Sequence, residues 1–342
     1  MTPMERIGET LSGRFADRRA VAPVLSLYGC RMIGSSPERY YRHPELFLEG
    51  QEATVRRFAP DIVFGPFALA LEAEAYGAPL IWPPYSPPNV RKSMPAGNGG
   101  MAKPPPHPAF LSHESLSFLV ESVRQLSREF GSSRPVAAII TAPTDLPAML
   151  LGIDAWLESL LFDTGAAAAW LALAEEHFVA LATAYFEAGA SFVVVPVMFA
   201  NPAIMMDSLI RKPLLPTLAS AFGRIPGPVV FHHGANPLAA SLNHYTTLPN
   251  VMGFVLDEHD DPALARSTLG PGRLIVTGPA GPRMSRRPAA DVLASVRQVL
   301  DERAGDPCFA LVSTAADIPW DTEEPTIAAI MDAAIAAGAS HA

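Results

Sequence analysis

The chain is poor in cysteine, poor in charge and without a long uninterrupted apolar run. Only two cysteines occur in 342 residues, Cys30 and Cys308. Two thiols so far apart form neither a disulfide framework nor a Cys-rich zinc pattern, and a reducing, cytoplasmic setting is expected. Charged residues make up 17%, the net charge is -9 and the isoelectric point is near 5.5. There is no dense Lys/Arg run; the nearest is Arg283, Arg286 and Arg287. That balance argues against a nucleic-acid surface. The opening MTPMERIGETLSGRFADRR has no apolar core segment, so no signal peptide is expected. The longest uncharged run, Ala188 to Met206, is broken by Pro196, Asn201 and Pro202, so no membrane span is expected.

What the chain does have is a succession of short apolar runs that end in Gly, Pro or polar clusters. There are eight, at 21–29, 61–67, 135–143, 191–198, 228–234, 251–259, 273–280 and 308–317. Continuous rather than alternating hydrophobicity means burial on both faces, as in a parallel sheet. Helical patterns lie between them, at 46–59, at 167–190 with Gly189 as a C-terminal cap, and at 288–305. A last helix starts near Glu323, Glu324 and Pro325. Strand and helix alternating eight times predicts a single (β/α)8 barrel over 1–342, preceded by an N-terminal helical segment. The alternative is a doubly wound open sheet, which the absence of G-x-G-x-x-G after the first strand weakens. The Pro- and Gly-rich stretch at 82–110 is too irregular for a helix or strand and reads as a lid or a solvated excursion.

Barrel chemistry gathers at the C-terminal ends of strands. Those ends carry Tyr28, Cys30 and Arg31; Thr141; Met198 and Asn201; His232 and His233; Asp257, Glu258 and His259; Thr277; and Ser313, Thr314 and Asp317. Three of nine histidines fall on the fifth and sixth ends, in PVVFHHGAN and VMGFVLDEHDD. Adjacent strands lie about 5 Å apart, so His232 or His233 can share an ion with Asp257 or His259, with Glu258 beside them. Such a His/carboxylate set suits zinc, iron or another divalent ion. The competing reading is a polar strand end followed by a helix N-terminus that favours acids, with only one of the two histidines facing the site. Tyr28, Thr141 and Asn201 are candidate substrate contacts, and Arg31 is a candidate clamp for a carboxylate or phosphate. Cys30 is either a thiol activated by Arg31 or a structural residue, and Cys308 reads as core. Met198, Met205 and Met206 form either an adaptable apolar wall or core packing.

Several stretches also resemble the uroporphyrinogen decarboxylase superfamily, which includes corrinoid-dependent methylcobamide methyltransferases. The opening Gly13, Asp17, Arg18, Val21 and Pro23 resemble its Gly-x-x-Asp-Arg-x-Pro-Val turn. PDIVFGPFALALEAEAYGAPL, ITAPTDLPAMLLGIDAWLESLLFD, AYFEAGASFVVV and LVSTAADIPWDTEEPTIAAIMDAA follow in the family's order and spacing. The resemblance implies a (β/α)8 barrel. In the methyltransferase branch it also implies a zinc held by His-x-Cys-Gly on the fifth strand and a Cys on the last. Here those positions read Phe231, His233 and Ala316, or His232 in the His role after a one-residue slip, so the thiolate ligands are replaced and His233 becomes central. Asp317, next to the lost cysteine, is a candidate carboxylate in its place. In the decarboxylase branch the second-strand Phe-Ser-Asp becomes Phe64, Gly65 and Pro66, and of the first-strand arginine motif only Arg31 survives.

Three functions follow as expectations. The first is methyl transfer between a small methylated substrate, or a methyl-corrinoid on a separate protein, and an acceptor, with His233, Glu258 and Asp317 as catalytic groups. The second is a decarboxylase or lyase acting on a small carboxylate or tetrapyrrole, anchored by Arg31. The third is a non-catalytic barrel that binds a tetrapyrrole or a partner protein. A homodimer is compatible with an apolar barrel exterior.

Overall fold

A computed structural model of the chain describes residues 1–91, 104 and 112–339. Most of the Pro- and Gly-rich stretch therefore lies outside the described residues. Its described start belongs to a short antiparallel ribbon, Leu80–Ile81 against Asn89–Val90.

Eight parallel strands form one sheet: β1 Ala20–Ala22, β2 Val63–Phe64, β3 Val136–Ile139, β4 Phe192–Pro196, β5 Val229–His232, β6 Val251–Val255, β7 Leu274–Thr277 and β8 Phe309–Val312. Seven fall within an apolar run, and β1 begins one residue before the first of them. The hydrogen-bonded order is β1-β8-β7-β6-β5-β4-β3-β2, a TIM-type barrel with its seam between β1 and β2. The principal helices alternate with the strands: α1 Pro3–Leu11, α2 Pro44–Phe58, α3 Glu114–Phe130, α4 Thr164–Glu187, α5 Leu215–Gly223, α6 Pro262–Leu269, α7 Ala289–Glu302 and α8 Glu324–Ala339. Between β5 and β6 a 3-10 turn, Ala239–His244, stands where a full helix was expected.

Two apolar layers hold this frame. Residues such as Val21, Val193, Val195, Val229 and Phe231 face the helices. Their neighbours in sequence, among them Ala22, Val194, Val230 and Val312, face the lumen. The alternation is the two-residue period of a strand.

The seam is closed by one carboxylate. Asp61, fully buried, accepts the Val21 N–H at 2.8 Å, and its own N–H donates to the Val21 carbonyl at 2.9 Å. Arg6 of α1 and Arg18 donate to the same carboxylate at 2.6 and 2.7 Å. Arg6 also binds Asp17 at 2.7 Å, which holds that carboxyl down at about 2. α1 is itself fixed by a capping box of Thr2 and Glu5. The Asp17-Arg18 part of the opening motif thus clamps the barrel floor, on the side away from the expected chemistry.

Candidate functional site

At the opposite end of the barrel, β5 delivers His232 and His233. Strand register puts His232 opposite Pro196 of β4 and Val255 of β6. Parity turns Val230 and His232 into the lumen. The chain then reverses at Gly234 and Ala235, both in the left-handed region at φ 60° and 69°. A Cβ on Gly234 would lie 2.5 Å from the Val197 carbonyl, so glycine is required where the ends of β4 and β5 meet. Ala235 and Ala315 (φ 69°) are non-glycine residues in the same strained region.

This reversal folds the second imidazole back on the first. The rings stack with centroids 4.4 Å apart and planes 21° from parallel. The expectation that only one of the pair faces the site is corrected here: His232 lines the lumen, and His233 extends over it toward the loop after β8. His232 Nδ1 accepts the Gly234 N–H at 3.1 Å, and His233 Nε2 accepts the Ala315 N–H at 3.2 Å. An imidazole nitrogen that accepts carries no proton, so each ring holds its proton on the other nitrogen. The pair therefore presents two N–H donors, His232 Nε2–H and His233 Nδ1–H. The latter lies 3.6 Å from Asp257 Oδ2 and has no hydrogen-bond partner among the described residues. Burial pushes both histidines below their ordinary range; each stacked ring would also repel a proton on the other.

Asp317 follows in the loop after β8, its carboxyl buried against the Ser26–Leu27 backbone. Its Oδ1 accepts the Leu27 N–H at 3.3 Å, while Oδ2 is buried without a hydrogen-bond partner among the described residues. Burial raises this carboxyl to about 8, so at neutral pH it is a protonated acid. Its neighbour Ala316 lines the lumen together with His232.

The remaining candidates are engaged elsewhere, and the expected metal set is not assembled. His259 is exposed and turned outward, with Nε2 2.9 Å from Arg283 Nη1. Glu258 accepts Arg283 at 2.6 Å and the Ala280 N–H at 3.1 Å, in an outer groove. Asp257 caps the His259 N–H at 3.0 Å. Among the described residues no three His, Cys, Asp or Glu side chains are grouped to hold a metal ion. Zinc or iron held by His232, His233, Asp257 and His259 does not fit this arrangement, because His259 points away and one nitrogen of each other ring is taken by a backbone amide.

The expected substrate contacts are corrected in the same way. Arg31 donates to the Trp320 and Thr322 carbonyls at 2.6 and 2.7 Å, and the Tyr28 hydroxyl donates to the same Thr322 carbonyl at 2.9 Å. Both residues staple the segment before α8. The Thr141 N–H and hydroxyl both donate to Glu72 at 2.8 Å, and Glu72 continues to His177 at 2.9 Å in a buried network behind β3. Asn201 bridges the Pro237 carbonyl at 3.2 Å and the Ala203 N–H at 2.9 Å. Cys30 is fully buried and burial pushes its thiol up to about 12, which removes the activated-thiol reading.

The sequence reading missed Asp145. It follows β3, accepts the Met198 and Phe199 N–H groups at 2.6 and 3.2 Å, and is raised by burial to about 6. The only signal was an Asp before Leu-Pro, which reads as a helix cap. Below the mouth lies a narrow lumen cavity of about 50 Å³.

Solved structures of similar shape put this geometry in context. A methyltransferase from Methanosarcina mazei superposes with a TM-score of 0.83 at 19% identity, covering 97% of this chain and 98% of that one. A B12-independent methionine synthase from Shewanella sp. W3-18-1, in complex with selenomethionine, reaches 0.43 at 13% identity, over 75% and 68%. A putative vitamin-B12 independent methionine synthase from Listeria monocytogenes reaches 0.42 at 16%, over 65% and 68%. No curated protein matches the sequence. The family model described as uroporphyrinogen decarboxylase (URO-D) matches residues 2–336, and the chain belongs to that family.

Proposed function

We propose that this protein is a methyltransferase-like enzyme that removes a methyl group from a small methylated substrate by protonating the atom the methyl leaves. The observations that carry the reading are two neutral imidazoles that present N–H groups at the mouth and a buried, protonated Asp317 in the loop after β8, two residues from the Ala315 amide that binds His233. Such a set donates protons and hydrogen bonds. It is poorly suited to deprotonating a thiol, because no ring nitrogen is left as a free acceptor. In the proposed step the carbon–oxygen or carbon–nitrogen bond breaks heterolytically and its electron pair stays on the leaving atom. That atom takes the Asp317 proton while the acceptor's electron pair forms the new bond to carbon. His232 Nε2–H supplies a hydrogen bond to the charge that develops, as a neutral imidazole can. The acceptor that the family resemblance implies is a corrinoid brought by a separate protein. The shape shared with a methyltransferase supports this reading.

The test uses free cob(I)alamin as acceptor and a panel of methyl ethers and methylamines, with methylcobalamin formation followed by absorbance. The expected rate falls as pH rises through about 8. Asp317→Asn is expected to lower it about 10²–10⁴-fold and remove that limb, and a chelator to leave it unchanged. Absence of transfer across the panel, or loss of transfer with chelator, would overturn the proposal. Decarboxylation is the second reading, since a carbanion also needs a proton. Its expected anchor, Arg31, is bound to two backbone carbonyls.

A further inference from the structure

The barrel interior holds space that a (β/α)8 core ordinarily fills with branched side chains. Four residues of the inner apolar layer, Ala20, Ala22, Ala137 and Ala310, are alanines. Of these, Ala310 lines a slot of about 50 Å³, running from Ile7 and Leu11 of α1 at the floor, past Val194, Val230 and Val276, to His232 at the mouth. A water molecule occupies about 10–15 Å³ on that scale and needs two to four polar partners. The walls offer almost none. The Thr10 hydroxyl donates to the Arg6 carbonyl at 2.9 Å, and Ser313 Oγ accepts the Val24 N–H at 2.8 Å. His232 Nδ1 is taken by Gly234, which leaves one ring N–H at the upper end.

From this geometry we infer that the lumen is a binding site for a small, uncharged apolar group of methyl to ethyl size, entering end-on beneath His232. Its walls reject charge, and its one polar atom stands where the group joins the rest of its molecule. Apolar slots of this kind stay dry and take apolar guests. Which molecule carries the group rests on the proposed function: there, the non-reacting end of the methylated substrate occupies the slot and the departing methyl stays above the histidines. The slot itself is defined without reference to any reaction.

Xenon, an uncharged probe of suitable size, tests the site independently of turnover. Crystals of the wild type, of Ala310→Leu and of Val230→Ile would be pressurised with xenon, and their melting temperatures measured beside them. A xenon atom in the wild-type lumen is expected, absent in Ala310→Leu and depleted in Val230→Ile. At least one variant is expected to melt no lower than wild type, because the added carbons fill existing space. No xenon in the wild-type lumen, or equal occupancy in wild type and a folded variant, would overturn the inference. Xenon binding in a protein that fails every methyl-transfer assay would leave the slot standing and sink only the methyl-transfer reading.

Discussion

Replacing Asp317 with asparagine should make the protein more stable as the pH rises. The substitution keeps shape and keeps an oxygen to accept the Leu27 N–H. The carboxyl titrates near 3.8 when unfolded and is raised to about 8 by burial in the native state. Between those values the native protein holds a proton that the unfolded chain has released. By linkage, stability then falls with increasing pH across that window, by about 1.4 kcal/mol per unit for one group. From 3.8 to 7 the accumulated cost is about 4 kcal/mol on that slope. Asparagine carries no proton to lose, so it escapes this cost. Urea titrations of wild type and variant at pH 4, 6 and 8 isolate the effect, because the other titrating groups are common to both. The variant's midpoint should match wild type at pH 4 and exceed it progressively at 6 and 8. A wild-type-minus-variant difference that does not change with pH would show that the native carboxyl is ionised, and would remove the acid from the proposed reaction.

The histidine pair should give the opposite dependence. Both rings are depressed by burial, so their contribution is complete above the unfolded value of 6.5 and is lost as pH falls below it. His233→Gln should flatten the decline in stability between pH 6.5 and 5, by up to about 1.4 kcal/mol per unit. Asp61→Ala should cost about 3–5 kcal/mol in urea unfolding, because it removes the buried carboxylate that Arg6 and Arg18 share and opens the β1–β2 seam. Gly234→Ala should abolish methyl transfer and lower the melting temperature, since its Cβ would meet the Val197 backbone at 2.5 Å. Arg31→Ala should lower stability by about 1–3 kcal/mol through the orphaned Trp320 carbonyl, with Thr322 left to Tyr28 alone, and leave substrate KM unchanged. A raised KM at unchanged stability would restore Arg31 as a clamp.

The barrel was legible because its cause is local. Both-face burial writes each strand as a short apolar run, and all eight runs overlap a strand. The missing helix between β5 and β6 was not legible from periodicity, although Pro237 and Pro249 bound a segment with little room for one. Strand-end position was legible as well, but side-chain partnership was not. Thr141 is claimed by Glu72, 69 residues away, and Arg31 by carbonyls 289 and 291 residues away. Each looks free in sequence because its partner arrives only when the chain folds. His232 and His233 were misjudged for a related reason. A two-residue period predicts opposite faces, and the left-handed Gly234 and Ala235 end that period one residue after the strand does.

A distinction follows between what the family motifs report and what the site does. Asp17 and Arg18 of the opening motif belong to the floor, where with Arg6 they hold Asp61 and the seam. Tyr28 and Arg31 hold the segment that leads into α8. These are framework contacts, and they can persist while the mouth changes its chemistry. At the mouth, the two positions that the resemblance assigns to thiolates are His233 and Ala316. His233 Nε2 still reaches the backbone beside Ala316, at the Ala315 amide. The two chain segments therefore meet as a shared ligand would have required, but through one neutral hydrogen bond. At the mouth burial is the largest influence on ionisation, and it drives histidine and aspartate alike toward their neutral forms. In the proposed reading, a neutral mouth above an apolar slot selects an uncharged leaving group that needs a proton, which is why that chemistry differs from thiolate alkylation although the barrel is shared.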